Sequence, residues 1–562
     1  MHSRRIVLAG LVLAAASVAL AQEDDPHAAC TAVGWVPREI LERPVGLRTG
    51  IGNSHDPVTT PSLEAQAFYD QGVAYLHSYV WVEAARSFHE ALRHDPDLAL
   101  AWIGLSRVYS GLEDPRAARE AVGKAQERAG KASPREQRRI ALRAKQLEAL
   151  EDLSDASKHL AYKKALDEAL ALDFGDAELW CLRGNAEEAT AAGRGQRGGA
   201  ASVAFYRQAL AVFPDHFAAH HYLIHSYEGI SQIDLALKHG EVYARLAPQV
   251  PHAQHMWGHD LRRVGRVEDA IAVFTRADEL EKAYYETERI PAGVDWHHAH
   301  NLDLLAGCYQ HQGRMKTAAG YLREALASPA VTEYLEFNRK GWVGLLLARR
   351  QHEEALAAAR ELQHGTGKST RAVGHALAGH ALLALGRRQD AEAELRSAQE
   401  GLETLSEDYA PAGVRRSAVA PYVDGLRGEL LLRGGRRDEA AEVLKDVQKR
   451  IRAVPGPDAW ADALFRLEAI ARVAREVGDW ELLDYTARQM SDHDPAYAGT
   501  RYALALVAEH RGDREAARRE FDAALGYWQK ADPDLSELPV ARASLKRLAD
   551  APAPRPSRAA GE

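Results

Sequence analysis

Three cysteines in 562 residues, Cys30, Cys181 and Cys308, are too few and odd in number to supply a disulfide framework, so packing must hold the fold together. Aromatic residues make up 7% of the chain and β-branched runs are few, which leaves little material for strands. Charge of one sign is also missing. The 71 basic and 80 acidic side chains are mixed along the sequence for a net charge of −9, so no polybasic stripe invites nucleic acid, and no nucleic-acid partner is expected. Serine, cysteine and threonine never stand in a recognisable nucleophile context. The stretch "HGTGKST" at 364–370 would need glycine at position 362 to be a phosphate loop, and Leu362 stands there.

Long apolar runs are absent after the first residues, which excludes a span of the bilayer in the body of the chain. The start itself, "MHSRRIVLAGLVLAAASVALAQEDD", has Arg4 and Arg5, an apolar run from Ile6 to Leu20 and the small-residue site Ala19-Leu20-Ala21. This pattern predicts a cleaved signal peptide over residues 1–21 and an exported protein, periplasmic or extracellular, with no stable membrane anchor after cleavage.

What the chain has is helix-forming composition and a period. Alanine, leucine, arginine and glutamate dominate, and the length exceeds what one compact core can serve. In "FYDQGVAYLHSYVWVEAARSFHEALRHDP", residues Phe68, Gly72, Tyr75, Ala84, Phe88, Ala91 and Pro96 stand at offsets 0, 4, 7, 16, 20, 23 and 28. Glycine and alanine let two antiparallel helices approach, large residues fill the gaps, and proline stops the second helix. Similar units follow on Trp102 and Tyr109, on Trp180 and Gly184, on Tyr227 and Ala236, on Gly258 and Phe274, and on Tyr309 and Ala318.

The spacing resembles the tetratricopeptide repeat, a helix-turn-helix unit of 34 residues. The expected fold is therefore all-α: a right-handed α-solenoid without a sheet domain. Residues 22–62 form an extension, 63–335 a near-consensus array, 336–530 a degenerate array, and 531–562 a tail with a disordered end. Insertions at 191–199 and 284–296 break the strict period. In that family, positions 2, 5, 9, 12 and 13 of the first helix line a concave groove, so the resemblance implies that residues at those positions face it.

Histidines recur at that period. His221 and His225 lie four apart, as do His255 and His259, and the pairs are 34 residues apart, at positions 5 and 9 of successive units. His252 and His300 occupy position 2, Asp303 position 5, Glu228 position 12 and His311 position 13 of their units. Residues 216–311 contain 12 of the 25 histidines in about a sixth of the chain, three times what an even scatter would place there. Neighbours four apart on one helix, or on adjacent packed helices, can share an ion.

His221, His225, His252, His255, His259, His300 and Asp303 are thus the expected ligands of one or more transition-metal ions, copper, iron or zinc. His297 and His298 could join from the helix edge. Glu178, Cys181, Asn185 and Glu188 could extend the site from the preceding unit, whereas Cys308, Tyr222 and Trp257 read as packing. His375 and His380, five apart, point to different faces. If an ion keeps an open position, metal-dependent hydrolase or oxidoreductase chemistry becomes available. The alternative is a noncatalytic scaffold whose histidine-lined groove takes a peptide or protein ligand.

Overall fold

Five of the repeats turn at a left-handed residue. In this computed structural model, Tyr79, Glu113, Ser231, Gly265 and Gly313 all have φ between 57° and 80°, each in the turn joining the first helix of a unit to its second. The structure describes residues 36–153, 155–188, 199–330, 332–407, 414–454 and 457–550. The predicted signal at 1–21, most of the 191–199 insertion and the end of the predicted tail lie outside the described residues. Among the described residues all regular structure is helical, and the chain is an α-solenoid of antiparallel helix pairs.

The first pair, Leu63–His77 and Trp81–His94, shows how the sequence dictates the packing. Ser62 caps the first helix by accepting from the Ala65 amide. A Cβ built on Gly72 would come within 2.6 Å of the Phe88 ring, and one on Gly104 of the next unit within 2.3 Å. One phenyl ring thus fills the space that two glycines leave. The same device pairs Gly184 with Tyr206 and Gly258 with Phe274. Apolar residues accordingly bury in a succession of clusters along the chain, the first reaching from Val36 to Ile290 and another from Leu432 to Ala541. Such serial burial is what a solenoid produces, since each unit contacts mainly its neighbours.

Two segments depart from that rule. The extension read from the sequence is, over residues 36–62, a strap across distant units. Arg43 donates to the Glu288 and Arg289 carbonyls, the Gln249 amide donates to the Gly50 carbonyl at 2.8 Å, and Asp56 takes Arg139 at 2.7 Å. The Val267–Glu288 helix makes this contact possible by running 22 residues, through part of the predicted 284–296 insertion. Its last turns bring Glu281, Tyr284 and Glu288 toward the first unit, where Glu288 pairs with Arg86 at 2.8 Å.

The second departure is at the other end. The Asp532 amide donates to the Gly313 carbonyl at 3.0 Å, Lys530 pairs with Glu268 at 2.6 Å, and Asp494 receives both His311 and Arg262. The Glu537–Asp550 helix, within the stretch set apart as a tail, buries Leu538 and Ala541 as the last layer of the array.

Candidate metal centre

Three helices carry the histidines. Phe217–Gly229 starts on the His216 side chain, which accepts from the Ala219 amide. Pro251–Arg263 opens with proline at its first turn, where no amide donor is needed. Trp296–His311 is capped by Asp295, which accepts from the His297 amide and from the Tyr285 hydroxyl. These are the first helices of three successive units.

Six of the seven predicted ligands gather into two triads. His221, His225 and His252 form one, His255, His259 and His300 the other, and within each triad one ligand nitrogen of every imidazole lies within 4.8 Å of the others. The triads are the same constellation twice. Each takes positions 5 and 9 of one unit and position 2 of the next. Unit order explains why the series stops there: the following unit has Asp303 and Gly307 at positions 5 and 9, and the preceding one has Cys181 and Asn185.

Hydrogen bonds to the rings fix which nitrogen faces inward. The His77 carbonyl lies 2.7 Å from His221 Nδ1, and a carbonyl only accepts, so Nδ1 carries the proton and Nε2 presents its lone pair. That lone pair faces two further Nε2 atoms, His225 at 3.2 Å and His252 at 3.0 Å. One lone pair cannot satisfy two such neighbours as hydrogen-bond acceptor. His255 repeats the arrangement. Asn301 donates through its amide nitrogen to the Phe274 carbonyl at 3.0 Å, so its oxygen accepts from His255 Nδ1, also at 3.0 Å. His255 Nε2 then faces His259 Nε2 at 2.8 Å. Nitrogens bound to one ion at about 2.0–2.1 Å stand roughly 3 to 3.4 Å apart, so the two separations of the first triad fit a coordination shell, and the 2.8 Å of the second is shorter than that spacing.

Burial favours the uncharged form of His221, His225, His252 and His255. Desolvation and then the neighbouring imidazoles push His221, His252 and His255 well below the usual histidine range, and burial above all brings His225 down to about 4. Neutral imidazole is the metal-binding form.

The resemblance implied histidines lining a concave groove, and the structure buries them. His221 and His255 are 0% exposed. The turn of the first unit, residues 76–79, lies over the first triad. Beyond the His77 carbonyl contact, the Tyr79 ring stands 4.7 Å from His221 and 5.2 Å from His252, and His77 Nδ1 meets the Tyr222 hydroxyl at 2.7 Å. Long-range packing of the first unit, which a local repeat pattern does not encode, covers the first triad.

Asp303 stands apart from both triads. Half-buried, it lines a cavity of about 460 Å³ with Gln310, His380, Tyr422, Glu429 and Phe465. His298 is directed away too, onto Asp278 at 3.0 Å. His311 joins Asp494. Of the residues of the preceding unit, Glu178 pairs with His77 and Arg107, Asn185 accepts from Tyr206, and Cys181 is buried, its thiol pushed well up by desolvation. His375 and His380 pair separately with Glu394 and Glu429.

His297, by contrast, does join. Its Nδ1 is bonded to Glu281, its Nε2 is buried without a hydrogen-bond partner, and its ring stands 4.9 Å from His252 and 4.5 Å from His255. Glu228 lies behind both triads, 3.7 Å from His225 Nδ1 and 3.5 Å from His259 Nδ1. Sequence reading missed Asn301, Glu281 and Tyr79. The last had a signal: tyrosine stands at the turn position that is glycine at 265 and 313.

No family model matches the chain, and no curated protein matches it. Solved structures similar to it include Pseudomonas aeruginosa PilF, 16% identical over 35% of this chain and 82% of that one, TM-score 0.28. Yeast Tom70 is 13% identical over 86% of this chain and 96% of that one, TM-score 0.32. PilW, a widely conserved type IV pilus biogenesis factor, is 18% identical over 49% of this chain and 98% of that one, TM-score 0.25. Likeness at this level says nothing about what the chain binds.

Proposed function

We propose that this protein is an exported helical-repeat protein that holds transition-metal ions, copper, iron or zinc, in a buried histidine centre. The observation that carries the reading is the repeated triad: positions 5 and 9 of one unit with position 2 of the next, twice, with His221 and His255 each turned inward by an acceptor on Nδ1. An all-nitrogen donor set suits these metals and disfavours calcium and magnesium, which take oxygen. Metal-dependent hydrolase or oxidoreductase activity is the enzymatic form of this reading, and storage or delivery of the ion the other.

Metal analysis of protein purified from the exported compartment, without an affinity tag of histidines, tests it. Stoichiometric copper, iron or zinc is expected. An intact mass beginning near Gln22 is expected in the same sample, and a chain retaining Met1 would remove export from the proposal. Metal-free protein that takes up none of the three ions would sink the centre. The scaffold reading would then stand on the 460 Å³ cavity beside Asp303, whose apolar and ion-paired walls suit a peptide segment.

A further inference from the structure

Resting on that reading, we infer that the two triads form one dinuclear centre, with His297 between the ions and Glu228 serving both. The triads are not independent sites placed on one scaffold. His252 of the first and His255 of the second are neighbours on one helix, their rings stacked at 5.7 Å. Ions held in equivalent places of successive units stand no farther apart than the first helices of those units, on the order of 10 Å.

His297 stands against one ring of each triad, 95% buried, and its Nε2 has no hydrogen-bond partner. A buried nitrogen of this kind costs stability unless something meets it. Because the Glu281 carboxyl is bonded to its other nitrogen, the lone pair of Nε2 can be held toward an ion, the arrangement by which an outer carboxylate orients a histidine ligand.

Charge gives an independent argument. Two adjacent dications in a buried site repel unless anions accompany them. Glu228 and Glu281 are buried, and both oxygens of Glu228 and one of Glu281 lack a hydrogen bond. Buried carboxylate oxygens without a hydrogen bond are costly in a metal-free fold. Glu228 reaches the outer nitrogen of one ligand in each triad, so a single carboxylate polarises both.

Copper(II) titration of demetallated full-length protein, followed by electron paramagnetic resonance, tests the inference. Two ions per chain are expected, with dipolar broadening and a half-field transition from the coupled pair. Replacing one triad, as His221→Gln with His225→Gln, should leave one ion per chain and a sharp signal of an isolated centre. Glu228→Gln, which spares every ligand, should weaken both ions together by about 10- to 100-fold. One ion per chain in the wild type, or two ions with uncoupled signals, overturns the dinuclear centre while leaving metal binding intact. Weakening of a single ion by Glu228→Gln overturns the shared role of that carboxylate. No copper uptake at all would instead defeat the metal reading beneath it.

Discussion

His221 and His255 stand one repeat apart, and each gives its Nδ1 proton to an acceptor that the other lacks: the His77 carbonyl for the first, the Asn301 side chain for the second. Equivalent ligands are thus oriented by non-equivalent parts of the fold. Asn301 belongs to the next unit, whereas His77 belongs to the first, 144 residues away.

Asn301 can therefore be altered without removing a ligand. Asn301→Ala frees the His255 ring to choose either tautomer, and metal affinity at the second triad should fall about 10- to 100-fold. Competition with a chelator of known affinity reads the change. An unaltered affinity would mean that the ring is held by packing alone.

Because His255 and His259 are buried against Phe274, their truncation to alanine would open a cavity as well as remove ligands. Glutamine is the better replacement. His255→Gln with His259→Gln should abolish metal at the second triad with helix content almost unchanged, measured by metal analysis and circular dichroism. His375→Gln with His380→Gln, whose rings serve Glu394 and Glu429, should retain all the metal. Equal retention in both variants would return the centre to ordinary buried histidines.

Tyr79 combines strain with cover. A tyrosine at φ 57° is held in a region that costs of order 1–3 kcal/mol. Its ring packs on His221 and His252. Tyr79→Gly relieves the backbone but uncovers the first triad, so metal removal by chelator should accelerate at least tenfold while equilibrium binding changes less. Stopped-flow or timed chelation measures both. A release rate equal to that of the wild type would show that ions leave by another path.

The glycines of the array make a packing prediction. A Cβ on Gly104 would stand 2.3 Å from the Phe88 ring, which Gly72 also confines. Gly104→Leu should destabilise by about 1–3 kcal/mol in chemical denaturation, through overpacking. Gly123, with open space around its Cβ position, should tolerate alanine without loss.

Local rules made the repeat and the ligands legible. Gly72, Gly184 and Gly258 sit opposite aromatic rings because the period is set by contacts within a unit and with the next one. The same locality brought His221, His225 and His252 into view, since positions 5 and 9 and the following position 2 are neighbours wherever units stack. Contacts across many units were not legible. Nothing local says that residues 76–79 lie over the first triad, that Arg43 reaches Glu288, or that Asp494 meets His311. Asp303 lines the cavity that residues of the C-terminal part of the chain complete, a long-range contact of the same kind.

The contact between His311 and Asp494 joins the middle of the array to its C-terminal part and should make that junction sensitive to acid. His311 Nε2 donates to Asp494 Oδ2 at 3.0 Å, and Arg262 donates to the same oxygen at 3.1 Å. Burial, and then Arg262, bring His311 down to about 4. Burial works against the Asp494 charge, but His311 and Arg262 outweigh it and hold the carboxyl below the usual range. In the unfolded chain histidine protonates near 6.5 and aspartate near 3.9. As pH falls from about 6.5 to 4, the unfolded state takes up a proton on His311 that the fold refuses, so stability drops by up to about 1.4 kcal/mol per pH unit from this group. Below about 4, Asp494 continues the loss, because it stays ionised in the fold while its unfolded counterpart protonates. Denaturant titrations across this range should show His311→Gln with a shallower loss than the wild type between pH 6.5 and 4. Asp494→Asn should cost about 3–5 kcal/mol near neutrality by leaving Arg262 buried without its anion. Parallel pH profiles for the wild type and His311→Gln would show that His311 protonates in the fold as readily as in the unfolded chain.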